Sequence, residues 1–135
     1  TAVYERSLSS TVELRAEAAE AYPRSTERVA SFGERETKAL EQSLYASKIV
    51  SYAQGFALLA EASRSRDWAL DLASIARIWR NGCIIRSAFL GDIAAAYEAD
   101  SSLPNLLLAP FFQQEIKEAK ADWLRTVASA LEHEC

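Results

Sequence analysis

The chain is poor in the residues that usually announce chemistry: it has no methionine, one histidine and two cysteines in 135 residues, with only four glycines and three prolines. Each shortage excludes something. Two cysteines, Cys83 inside the chain and Cys135 at its end, cannot build a disulfide framework, so a reducing, cytoplasmic setting is expected. The one histidine, His133, belongs to no Cys/His/carboxylate cluster with zinc spacing, so no metal site is expected and His133 reads as an exposed terminal residue. A glycine-rich phosphate loop is missing, which leaves no dinucleotide-binding fold in this stretch. Apolar runs fall short of the roughly 18 residues that cross a bilayer, and no basic-then-apolar leader is visible at the start. The net charge is −4, with both signs interspersed, so there is no basic face for nucleic acid.

What remains is rich in alanine, leucine and glutamate, half hydrophobic and one quarter charged. With breakers so rare and few alternating segments, this is an all-α composition, and its length suits one domain, residues 1–135. The organising stretch is LYASKIVSYAQGFALL, residues 44–59. Tyr45, Ile49, Tyr52, Phe56 and Leu59 form one apolar stripe at helical spacing, and Ala46, Val50, Ala53, Ala57 and Ala60 form a second beside it. A helix apolar nearly all round is expected at the centre of a bundle, covered by the others.

Taken in order, a first helix is expected over 2–22, with Tyr4, Leu8, Val12, Ala16 and Ala19 inward and Pro23 as its stop. After a short helix over 26–32, the central helix is expected over 34–62 and a polar turn over 63–67. A compact helix follows over 72–80, with Leu72, Ile75, Ala76 and Trp79 on one face, Asp71 as N-cap and Asn81-Gly82 as its stop. The next is expected from Cys83 to about Ala99, burying Ile85, Phe89, Ile93 and Ala96. After a break over 100–104 and a turn over 105–108, Pro110 opens the last helix. Phe112, Ile116, Ala119, Trp123, Val127 and Ala130 carry its inward face.

Few residues on this frame could carry chemistry. Glu34-Arg35-Glu36 and Glu115-Ile116-Lys117-Glu118 pair carboxylates, but at spacings typical of a solvated helix surface. Cys83 follows Gly82 where a helix start could activate a thiol, yet Ile84 and Ile85 beside it favour a small core residue. Arg77, Arg80 and Arg86 gather around the Asn81-Gly82 turn, where they face either an anion or neighbouring carboxylates. Lys48 lies on the polar strip of the central helix and is expected to snorkel or meet a carboxylate. No residue is expected to be catalytic.

Three blocks carry a resemblance: residues 44–59, the run IWRNGCIIRSAFL with the residues from Leu72 before it, and NLLLAPFF over 105–112. They resemble the central helix, the arginine-tryptophan-glycine-cysteine block and the asparagine-leucine run in the C-terminal, all-helical domain of the decarboxylating 6-phosphogluconate dehydrogenases. The resemblance spans most of the chain, while residues 11–33 depart from the family pattern. At the N-terminus AVYERSLSS, residues 2–10, is similar to a family helix whose arginine holds the substrate phosphate, which makes Arg6 the phosphate ligand. Guanidinium suits that task as a planar, permanently charged fork. Glu5 stands where the family carries a small residue.

The resemblance implies oxidative decarboxylation of 6-phosphogluconate with NADP, the cofactor lying elsewhere in the parent enzyme. Its Rossmann domain, its catalytic lysine and glutamate and a Gly-Thr-Gly-Lys-Trp segment would precede the matched region, and a tail reaching into the partner subunit would follow it. The chain then supplies a helical scaffold, a dimer surface and Arg6, with a homo-oligomer expected and no turnover on its own. The alternative is a stand-alone, non-catalytic helical binding or assembly module descended from the same domain, or an engineered chain.

Overall fold

The computed structural model describes residues 11–23 and 33–132, in which every regular element is helical. The order is α1 (Val12–Ala21), α2 (Glu34–Arg66), α3 (Leu72–Trp79), α4 (Leu90–Ala99), a 3₁₀ turn (Leu106–Leu108) and α5 (Pro110–Glu132). The all-α expectation holds. At 33 residues, α2 is about 50 Å long. It packs along α5, while α3 and α4 pack on each other.

Small residues explain the α2–α5 contact. Ala39, Ser43, Ala46, Ile49, Ala53 and Phe56 recur every three or four positions and are buried, and Ala119 of α5 is fully covered. Short side chains let the two helices approach closely along a narrow seam. Toward the C-terminal half of α2 the seam widens into the main core. Ile49, Phe56, Leu90, Ile93, Leu106 and Phe112 are sealed from solvent there. Rings meet edge-on around Phe89: its centroid lies 5.8 Å from Tyr45, 5.1 Å from Tyr52 and 6.2 Å from Phe112. Phe56 in turn touches Trp79 and stacks on Tyr97.

Asp71 and Pro110 take the places expected of them, and Asn105 adds a cap that was not expected. Asp71 accepts from the Ser74 N–H at the start of α3, Asn105 accepts from the Leu107 N–H, and Pro110 occupies the first position of α5. Gly82 takes a left-handed φ of 70° just beyond α3, which glycine adopts without steric cost.

Four expectations are corrected. First, α2 is not covered all round: Leu44 and Leu58 are 63 % and 70 % exposed, opposite the seam. Its neighbours among the described residues fill one side only. Second, α2 continues through the expected turn to Arg66. Ser63, Arg64 and Ser65 are polar, but polarity alone does not break a helix. The Arg64–Glu61 pair and the Ser65 hydroxyl, which donates to the Ala62 carbonyl, support the extra turn. The helix stops where Asp67 turns left-handed and both its N–H and that of Trp68 donate to the Ser63 carbonyl. Asp67 and Ala69, with φ of 53° and 50°, are the positive-φ non-glycine residues described; such conformations cost roughly 1–2 kcal/mol each.

Third, no helix begins at Cys83. Residues 81–89 form successive turns, with Arg86 N–H donating to the Cys83 carbonyl and Leu90 N–H to that of Ser87. The Tyr52 hydroxyl donates to the Ile85 carbonyl and ties this loop to α2. Ile85 is therefore exposed and Ile84 fully so. Fourth, α1 buries none of its residues. Val12, Ala16 and Ala19 occupy one side, Leu14, Ala18 and Ala21 another, so no single apolar face exists to bury. The expected helix over 26–32 and residues 2–10 lie outside the described residues. Along α5, Phe112 and Ala119 are buried and Ile116, Trp123 and Ala130 half-buried, but Val127 is exposed.

Two substitutions separate seam from surface. Phe56→Ala is expected to cost about 3–5 kcal/mol in urea unfolding, as aromatic truncation in a sealed core does. Leu58→Ala, two residues away on the open side, is expected to change stability by less than about 0.5 kcal/mol.

Candidate functional site

Arg6, the one binding residue expected from the sequence, lies outside the described residues, as do His133 and Cys135. What the structure does define is the surface around Phe89, where α2, the 81–89 loop and the start of α4 converge. Lys48 extends from α2 over the Phe89 ring, its Nζ 5.9 Å from the centroid, a cation–π approach. It has no carboxylate partner among the described residues; of the two expectations, snorkelling or an acid, the exposed side chain follows the first.

Tyr45 lies on the same side. Its phenol pKa is pushed up to about 12, first by burial, then by the Glu115 carboxylate it faces, with Asp92 adding to the effect. Tyr52 is also raised, by burial and then by the nearby Cys83 thiol. Both shifts keep the phenols neutral at physiological pH, and neither phenol is poised as a base. Glu115 is thus an inter-helix partner rather than a bare surface charge. Glu118 accepts from Gln114, and Glu36 caps the Gly33 N–H.

The arginine group is divided. Arg77 pairs with Glu98 of α4 and follows the salt-bridge reading. Arg80 lies across the first turn of α4, where a Cβ at Gly91 would come 4.0 Å from its Cζ and Nη1. Arg80 and Arg86 meet no carboxylate among the described residues. Cys83 is half-buried on the loop and flanked by the exposed Ile84, so it is not the small core residue expected. No group of three or more His, Cys, Asp and Glu could hold a metal among the described residues. No described helix is long and apolar enough to cross a membrane.

The fold and this surface define a class: an all-helical domain built around an aromatic core. The family model of the 6-phosphogluconate dehydrogenase C-terminal domain matches residues 1–135. The decarboxylating 6-phosphogluconate dehydrogenase of Caenorhabditis elegans is 47 % identical over 133 residues, covering 96 % of this chain and 28 % of that protein. Those of Treponema pallidum and Saccharomyces cerevisiae (the second isoenzyme) are 53 % and 55 % identical over 93 and 91 residues, covering 69 % and 67 % of this chain. A solved 6-phosphogluconate dehydrogenase of Plasmodium falciparum, studied in its apo form and with its cofactor NADP+ and its substrate 6-phosphogluconate, superposes with a TM-score of 0.85. It is 35 % identical over 96 % of this chain and 28 % of that one. The chain belongs to the 6-phosphogluconate dehydrogenase family, as its C-terminal domain. It spans between 18 % and 28 % of the length of these relatives.

The raised Tyr45 pKa gives a pH dependence with a definite sign. Because the folded value lies above the ordinary 10, the contribution is intact below pH 10 and lost as pH rises from about 10 to 12. Urea midpoints measured from pH 8 upward are expected to fall more steeply for the native sequence than for Tyr45→Phe.

Proposed function

We propose that this chain serves NADP-dependent oxidative decarboxylation of 6-phosphogluconate to ribulose 5-phosphate as the helical scaffold of the enzyme. In that reaction hydride leaves the substrate's third carbon, and the resulting keto acid loses carbon dioxide. The observation that carries the reading is the superposition over 96 % of the chain on an enzyme described with that cofactor and substrate. The chain's part is positional. Its aromatic core fixes α2, α4 and α5, and Arg6 offers a guanidinium to the substrate phosphate. We further propose a homo-oligomer, cytoplasmic, in which the exposed leucines of α2 are covered by the partner or by the rest of the enzyme.

We propose that NADP is held by other parts of the parent enzyme. No glycine-rich phosphate loop occurs in the sequence, and a hollow beside the end of α2, about 230 Å³, is too small for a dinucleotide. The second reading, a stand-alone helical binding module, draws on the same exposed leucines, Leu44 and Leu58.

The chain mixed with NADP and 6-phosphogluconate is expected to give no absorbance rise at the NADPH wavelength; measurable turnover would overturn the scaffold reading. Calorimetry with 6-phosphogluconate is expected to show weak binding that Arg6→Ala lowers by about 10-fold or more, the scale of a lost charge-assisted hydrogen bond. Equal binding by both chains would remove Arg6 from the site.

A further inference from the structure

Burial within the described residues does not account for α1. It has 10 residues and buries none of them, while isolated helices shorter than about 12 residues are marginal in water. Glu13, Glu17 and Glu20 fall at i, i+4 and i+7 and line one exposed face with carboxylates. Like charges at that spacing work against the helix. Arg15, the one cation of the element, lies on the opposite side. Leu14, Ala18 and Ala21 flank the acidic stripe on one edge, and Val12, Ala16 and Ala19 on the other. None of the three glutamates pairs with a cation among the described residues. A surface of this pattern fits a partner that brings positive charge and apolar contact together.

The complement lies on the same chain. Lys48, Arg80 and Arg86 are exposed and meet no carboxylate among the described residues. They gather around the turn that enters α4: Lys48 Nζ stands 5.9 Å from the Phe89 ring centroid, Arg80 lies across the turn at Gly91, and Arg86 precedes Phe89 in the same loop. Asp92, on the same turn, lies close enough to Tyr45 to raise its phenol, and Arg77 is engaged by Glu98. Ile84 and Ile85, between the two arginines, are exposed. We infer that α1 of one copy docks on this basic, isoleucine-bearing loop of a second copy. Glu13, Glu17 and Glu20 face Lys48, Arg80 and Arg86, and Leu14 meets Ile84. Each copy owns both surfaces, so it gives one helix and takes one, and the pair closes with two equal contacts. The inference rests on the homo-oligomer proposed above and names its contact.

The test is sedimentation equilibrium of the full chain and of two charge-reversed variants, Glu17→Arg/Glu20→Arg and Arg80→Glu/Arg86→Glu. The native chain is expected to dimerise, with a dissociation constant that rises about 10-fold or more between low salt and about 0.5 M sodium chloride as the ion pairs are screened. Each variant alone sets like charges across the contact and is expected to dimerise more weakly by about 10-fold or more. Mixed in equal amounts, the two variants are expected to recover the dimer, because each then offers the charge that the other has lost. A native chain that stays monomeric would overturn the inference, as would a native dimer indifferent to salt. Variants that dimerise as the native chain does would leave the homo-oligomer standing and remove this contact. A mixture that stays monomeric, with both variants shown to be helical by circular dichroism, would also overturn it; should a variant fail to fold, the salt series on the native chain decides.

Discussion

The packing of Phe89 against Tyr45, Tyr52 and Phe112 is the contact on which the rest of the structure depends. Phe89 is not inside a helix; it is the residue from which α4 starts. One ring therefore joins α2, α5 and the beginning of α4. Edge-on aromatic pairs add to the burial of their area because ring edges meet ring faces. The Tyr52 hydroxyl completes the arrangement by holding the Ile85 carbonyl, which fixes the turns leading to Phe89. Phe56, which meets Trp79 of α3 and stacks on Tyr97 of α4, extends the same aromatic contact to the other two helices.

Polar contacts hold the described part of the domain in the same arrangement. Its polar side chains mostly do structural tasks: Asp71 and Asn105 cap helices, Glu115 faces a phenol, and Arg77 ties α3 to α4 through Glu98. The proposed scaffold role would leave the site to be built largely from other parts, and the chain spans 28 % of the length of the Caenorhabditis elegans and Plasmodium falciparum enzymes. The open leucines of α2 are consistent with that position, since a larger assembly has more to cover them.

Much of this was legible in the sequence. The α2 seam followed from apolar residues at helical spacing, and Asp71 and Pro110 announced their roles by residue type and place. The failures have common physical causes. Periodicity marks which residues share a face but not whether anything packs there, so a helix apolar nearly all round was expected to be covered although Leu44 and Leu58 stay exposed. The run Cys83 to Phe89 looks helical in composition, but the backbone is set by a tertiary hydrogen bond from Tyr52, thirty-three residues away. The end of α2 was misplaced because polar residues continue a helix until a left-handed residue stops it, and here that residue is an aspartate rather than glycine.

The central claim is that this chain is the scaffold of a larger dehydrogenase, and the intact mass of the native protein from its source tests it most directly. A species several times heavier than 14.9 kDa is the predicted result. A native species at 14.9 kDa would contradict the claim and favour a stand-alone helical module.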